Sequence, residues 1–82
     1  MFAKALVRHP KSEAVEMRSR RWGYFPRTFL WRGVEHQVEA VERVWTTQRG
    51  GQMYRHYFQV RCSDGSHTLY QDVASNTWLI QL

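Results

Sequence analysis

From Tyr54 to Cys62 the chain alternates. Tyr54, His56, Phe58, Val60 and Cys62 fall on one side, and Arg55, Tyr57, Gln59 and Arg61 on the other. A period of two residues with one apolar and one polar face marks a half-buried strand. Ser63-Asp64-Gly65-Ser66 comes next as a tight hairpin, with Asp64-Gly65 expected to supply its positive-φ pair. Thr68–Val73 reads as the return strand. Ser75-Asn76 turns again, and Trp78, Ile80 and Leu82 alternate in a closing strand. Upstream, Arg49-Gly50-Gly51-Gln52 is a turn, and Thr28–Arg32 is a strand ending at Gly33, where positive φ carries no steric penalty.

The stretch 34–48 admits two readings. Val34, Val38, Val41 and Trp45 recur at helical spacing, and Glu39 and Arg43 would pair along a helix. Against a helix stand its β-branched residues and the lack of a good N-cap, since Gly33 is only a fair one. As a strand, Val34, His36 and Val38 share a face. One extra residue near Glu39-Ala40, a β-bulge, then brings Val41, Arg43 and Trp45 onto it. The bulged strand is favoured, and the helix is the alternative. Before residue 28, Val15 and Met17 suggest a brief strand, and Gly23 and Pro26 mark Arg18–Pro26 as a loop. Residues 1–12, broken at Pro10, read as weakly structured with a possible strand over Phe2–Val7. The expectation is one domain over residues 13–82, mainly β: a small antiparallel meander of five or six strands curled into a barrel or half-barrel.

Length supports that picture, because 82 residues make one domain at most. So small a core needs large rings to fill it, and four Trp, four Tyr and four Phe supply them. Charge adds something new. Residues 1–32 hold Lys4, Arg8, Lys11, Arg18, Arg20, Arg21, Arg27 and Arg32 against only Glu13 and Glu16; the remainder is near neutral. A basic segment on a neutral body suggests an acidic partner such as nucleic acid. Cys62 is the only cysteine, so no intrachain disulfide forms. No apolar run reaches the ~20 residues of a membrane-spanning helix, and the first residues are too briefly apolar for a signal peptide. A soluble cytoplasmic protein without membrane contact is expected.

Reactive chemistry is sparse. Cys62 shares the apolar face of its strand and reads as a buried thiol. His9, His36, His56 and His67 lack the tight pairing of zinc ligands, and a composite of His56, Cys62 and His67 across the Asp64-Gly65 hairpin is only geometrically conceivable. Glu35, Glu39 and Glu42 read as a solvated face, and no phosphate-cradling glycine loop is present. No enzyme, metal or cofactor is expected. The constellation above background is Arg18, Arg20, Arg21, Trp22, Tyr24, Phe25, Arg27, Trp31 and Arg32. Arginines neutralise phosphates and flat rings stack on bases, the combination that single-strand binders use. Phe29 and Trp31 share a strand face and read as core, with Arg32 outward. The expected contacts are therefore Arg18, Arg20, Arg21, Arg27 and Arg32 to phosphate, and Trp22 and Tyr24 to bases.

From Pro26 onward the chain resembles a family of small bacterial proteins of unknown function. The shared order is Phe29, Trp31-Arg32-Gly33, Val38, Val41, Trp45, Phe58, Val60, Leu69-Tyr70-Gln71-Asp72, Trp78 and Ile80. The chain departs from the family pattern at His36, where members often carry an aromatic, and lacks the short tail after the last strand. Members sit near or with Y-family translesion polymerases. The resemblance thus implies a strand over 34–48 and a DNA-linked accessory role, with DNA or RNA as ligand and a DNA-repair protein as partner. The alternative is a protein-interaction module using an exposed sheet edge, such as Tyr54–Cys62, or self-association.

Overall fold

Alternation and turn residues lay down six strands in a computed structural model that describes residues 12–82. They are β1 (Ser12–Arg21), β2 (Phe25–Trp31), β3 (Val34–Arg49), β4 (Gln52–Cys62), β5 (Gly65–Asp72) and β6 (Thr77–Gln81). All neighbours are antiparallel, and β1 pairs with β6 to close a barrel. The expectations for Phe2–Val7 and for the basic residues Lys4, Arg8 and Lys11 lie outside the described residues. The described residues contain no helix, and so none long and apolar enough to cross a membrane.

The interior holds Phe29, Phe58, Val60, Leu69 and Ile80 at 1% exposure or less, with Cys62 and Trp78 beside them. Register explains the set, because residues directly opposite across a ladder share a face. Phe58 faces Leu69, Leu69 faces Ile80, and Val60 faces Val41. As expected, Phe29 belongs to this core and Trp31 packs against it.

Residues 34–48 are strand, with the expected bulge. Val38 faces Cys62 and Ala40 faces Arg61, leaving Glu39 as the extra residue. A second bulge at Glu42 shifts the phase again. Val41 faces Val60 and Val44 faces Phe58, so Arg43 and Trp45 point away from the core. On that outer face Trp45 stacks on Tyr57 at 5.1 Å between ring centres, and Arg43 lies 4.9 Å from the Trp45 ring. Bulges bend a strand and increase its local twist, which lets the 16 residues of β3 coil around so small a barrel.

Two further expectations change. The brief strand near Val15 extends from Ser12 to Arg21, and Phe25-Pro26 begin the next strand, so the loop shrinks to Trp22-Gly23-Tyr24. The β4–β5 turn is Ser63-Asp64, not Asp64-Gly65. Cys62 already pairs with Gly65, which takes φ 124° at the start of β5, while Ser63 and Asp64 keep negative φ. Tyr54–Cys62 lies within β4, flanked by β3 and β5, and so offers no sheet edge.

Candidate nucleic-acid interface

Closure between β2 and β3 is partial. The two strands pair from Trp31–Val34 to Thr28–Gln37 and then separate. Bulges on both sides favour this splay. Thr28 faces Ser19 and Pro26 faces Arg20, so Arg27 is extra on β2, as Glu39 is on β3. Pro26 has no N–H and suits a strand with an unpartnered side. The separation leaves a cleft of about 350 Å³ with Phe25, Pro26, Val38 and Val41 on its walls. Arg21, Trp22, Arg27 and Arg43 surround it, with Glu39 and Glu42 at the rim.

Trp22 stands at the tip of the β1–β2 connection and is 82% exposed. It holds φ 54°, followed by Gly23 at 67°, and Tyr24 N–H donates to the Arg21 carbonyl at 3.1 Å. The Trp22 ring meets Phe25 edge-on at 5.9 Å, and the Arg21 guanidinium lies 5.9 Å from its centre. Tyr24 sits differently: 36% exposed, its ring packs edge-on against Phe25, Phe58 and His56.

The arginines divide. Among the described residues no carboxylate lies within 4 Å of Arg20, Arg21, Arg27 or Arg43. Arg18 contacts Glu16 at 3.4 Å. Arg61 lies 3.8 Å from Glu39 and 3.5 Å from Glu42, drawing both acids toward β4. Arg20 lines a second opening, between β1 and β6, with Met17 and Trp78. The structure thus gathers Arg21, Trp22 and Arg27 at one cleft, with Arg20 on the other side of β1. It adds Arg43 to the cleft, which alternation after a single bulge puts on the inner face; the second bulge has no sequence mark.

Arg32 is at the other end of β2. Its Nε and Nη2 donate to both Glu13 oxygens at 2.8 and 2.7 Å, and Trp31 Nε1 donates to Glu13 at 2.8 Å. The Arg32 contact, with the Trp31 hydrogen bond behind it, holds the Glu13 carboxyl at about 2, below its ordinary 4.5. Arg32 is therefore a clamp across the barrel end, not a neighbour of Trp22.

The same end carries residues that sequence spacing did not join. His36 stacks on Phe29 at 5.1 Å, and Trp31 packs on both His36 and His67. His67 Nε2 lies 3.1 Å from Asp64 Oδ1, and His36 Nδ1 lies 3.7 Å from Asp64 Oδ2. The His67 hydrogen bond lowers the Asp64 carboxyl below its usual range, with His36 a smaller contributor. Cys62 is nearby and buried, its thiol pushed up to about 11 by burial first and by Asp64 and Glu39 second. His56 does not join them: it pairs with Gln71 near the middle of β4, whereas Val60 is the residue that pairs with His67, so the composite of His56, Cys62 and His67 does not form.

No protein-family model, curated protein or solved structure matches this chain.

Proposed function

We propose that this barrel binds single-stranded nucleic acid, without catalysis, at the open wedge between β2 and β3. The observation that carries the reading is Trp22: a large ring, 82% exposed, held in a left-handed backbone conformation beside arginines free of described carboxylates. An exposed flat ring can take a base on its face, worth ~1–3 kcal/mol in single-strand binders. Arg21, Arg27 and Arg43 line the same wedge and supply the positive charge that phosphates would meet, and Arg20 extends the basic surface across β1. The wedge, near the small end of the roughly 300–1,000 Å³ of ligand sites, has apolar walls suited to one splayed base. The carboxylates lining it are Glu39 and Glu42, both drawn to Arg61, which supports binding over a reaction. A DNA-linked accessory role, in a bacterial cytoplasm alongside a repair protein, accords with the same reading.

Fluorescence anisotropy with labelled single-stranded and duplex oligonucleotides tests it. Binding is expected at ~50 mM salt, where phosphate contacts are strong, with single strands preferred. Trp22→Ala should weaken it about 5- to 150-fold, the loss of one stacked base. Combined Arg21→Ala, Trp22→Ala and Arg27→Ala should abolish it. Absence of binding in low salt would overturn the proposal.

A further inference from the structure

The barrel end away from Trp22 brings together two imidazoles and a carboxylate, and we infer that His36, Asp64 and His67 form a binding site for a divalent transition-metal ion, Zn²⁺ by chemistry. One donor atom from each lies within 4.8 Å of the others. Measured to the single oxygen Asp64 Oδ2, the His67 and His36 nitrogens lie at 3.2 and 3.7 Å, which bracket the spacing that a tetrahedral ion imposes. With bonds of ~2.0–2.2 Å, such an ion holds its donors about 3.3 Å apart. Asp64, a turn residue with its side chain 46% exposed, can adjust to an ion, and the two imidazoles, whose donor atoms lie within 4.8 Å of each other, close the remaining distance by small ring rotations.

The rings are positioned by the barrel. His36 lies parallel to Phe29, 12° between planes, and His67 stands edge-on to Trp31. Their side chains are 12% and 18% exposed, so both are largely desolvated before any ion arrives. At 3.7 Å His36 Nδ1 is beyond hydrogen-bonding reach of Asp64, so no hydrogen bond to that carboxylate competes with a metal for this atom. Two imidazoles and one carboxylate suit Zn²⁺ and its neighbours rather than Ca²⁺ or Mg²⁺, which favour all-oxygen sets. Three protein ligands leave a position on the solvent side for water or an external donor.

The connectivity gives the ion a mechanical role. Pairing of β3 with β4 begins at Val38–Cys62. His36 precedes that pair, and Asp64 and His67 lie in and just after the next turn. An ion would extend the β3–β4 contact past its last backbone rung and fasten the β4–β5 turn to the barrel end.

The test uses the untagged full chain. Calorimetric titration with Zn²⁺ should show one site, and Co²⁺ should give the visible absorption of a four- or five-coordinate nitrogen–oxygen site. Zn²⁺ should also raise the thermal midpoint by several degrees, since a ligand that binds only the folded state stabilises it. His67→Gln and Asp64→Asn should each weaken binding at least about tenfold. His56→Gln, in the middle of β4 and paired with Gln71 rather than with the cluster, should leave it unchanged. Circular dichroism establishes that the variants fold, and His36→Phe, which keeps the stack on Phe29, serves if His67→Gln does not. Failure to bind at millimolar Zn²⁺, or binding unaffected by both histidine variants, overturns the inference. Since the site lies at the other end of β2 from Trp22, nucleic-acid binding stands or falls independently.

Discussion

Trp22 holds φ 54°, where the Cβ of an L-residue crowds the following carbonyl. Glycine escapes that crowding, at a difference of roughly 1–2 kcal/mol. Trp22 recovers little by packing, touching Phe25 only at an edge. Trp22→Gly should therefore stabilise the protein, raising the thermal midpoint by about 4–8 °C per kcal/mol for a domain of this size, while weakening oligonucleotide binding. Differential scanning calorimetry and anisotropy on the same variant check both halves. A fall in stability would mean that the ring is a structural strut. Phe58 is the opposite case. Fully buried, it contacts Tyr24, Phe25 and Trp78. Phe58→Ala should cost about 3–5 kcal/mol, comparable to the whole stability of so small a domain. Near-ultraviolet dichroism should then show most of the chain unfolded at room temperature.

Among the elements, β1 and the β2–β3 turn are joined by Glu13, which accepts from Trp31 and Arg32. Because folding lowers the Glu13 carboxyl from 4.5 to about 2, its contribution is complete above pH 4.5 and is lost as pH falls toward 2. Glu13→Gln should be less stable than the natural sequence at neutral pH, and the gap should close as pH falls through that window. Thermal midpoints at several pH values measure this; a constant gap would count against the clamp. The strands themselves were legible. Alternation from Tyr54 to Cys62 and the Gly50-Gly51 turn gave β4 its place, and the β-branched content of 34–48 favoured a bulged strand there. Less legible was the interruption of alternation. The Glu42 bulge turned Trp45 outward, and the Arg27 bulge sits where β2 runs on into residues that read as loop. An extra residue changes phase without changing composition, so only pairing reveals it. The His36–Asp64–His67 group was hidden for a related reason: its members meet through the register of three strands and a turn, not through spacing along the chain.

For the whole molecule, charge is partitioned by the fold. The clamped Arg32 lies at one end, and Arg21, Arg27 and Arg43 gather about the wedge nearer the other. If those three reach phosphates, log binding constant against log salt should have a slope of roughly −2, at about −0.7 per contact on single strands. Arg43→Gln, invisible as a contact from sequence, should lessen the slope by about 0.7, whereas Arg32→Gln should leave it unchanged. Anisotropy titrations over a range of salt separate the two.

Trp31 sits between Glu13 and the two histidines, while Trp22 stands in solvent and Trp78 lies in the core. Three of the four indoles thus form a set of optical probes addressed to different places. Bases stacking at the wedge would quench the long-wavelength emission of Trp22. A paramagnetic ion between His36 and His67 would darken Trp31 instead, and each event could be followed in one cuvette by its own colour.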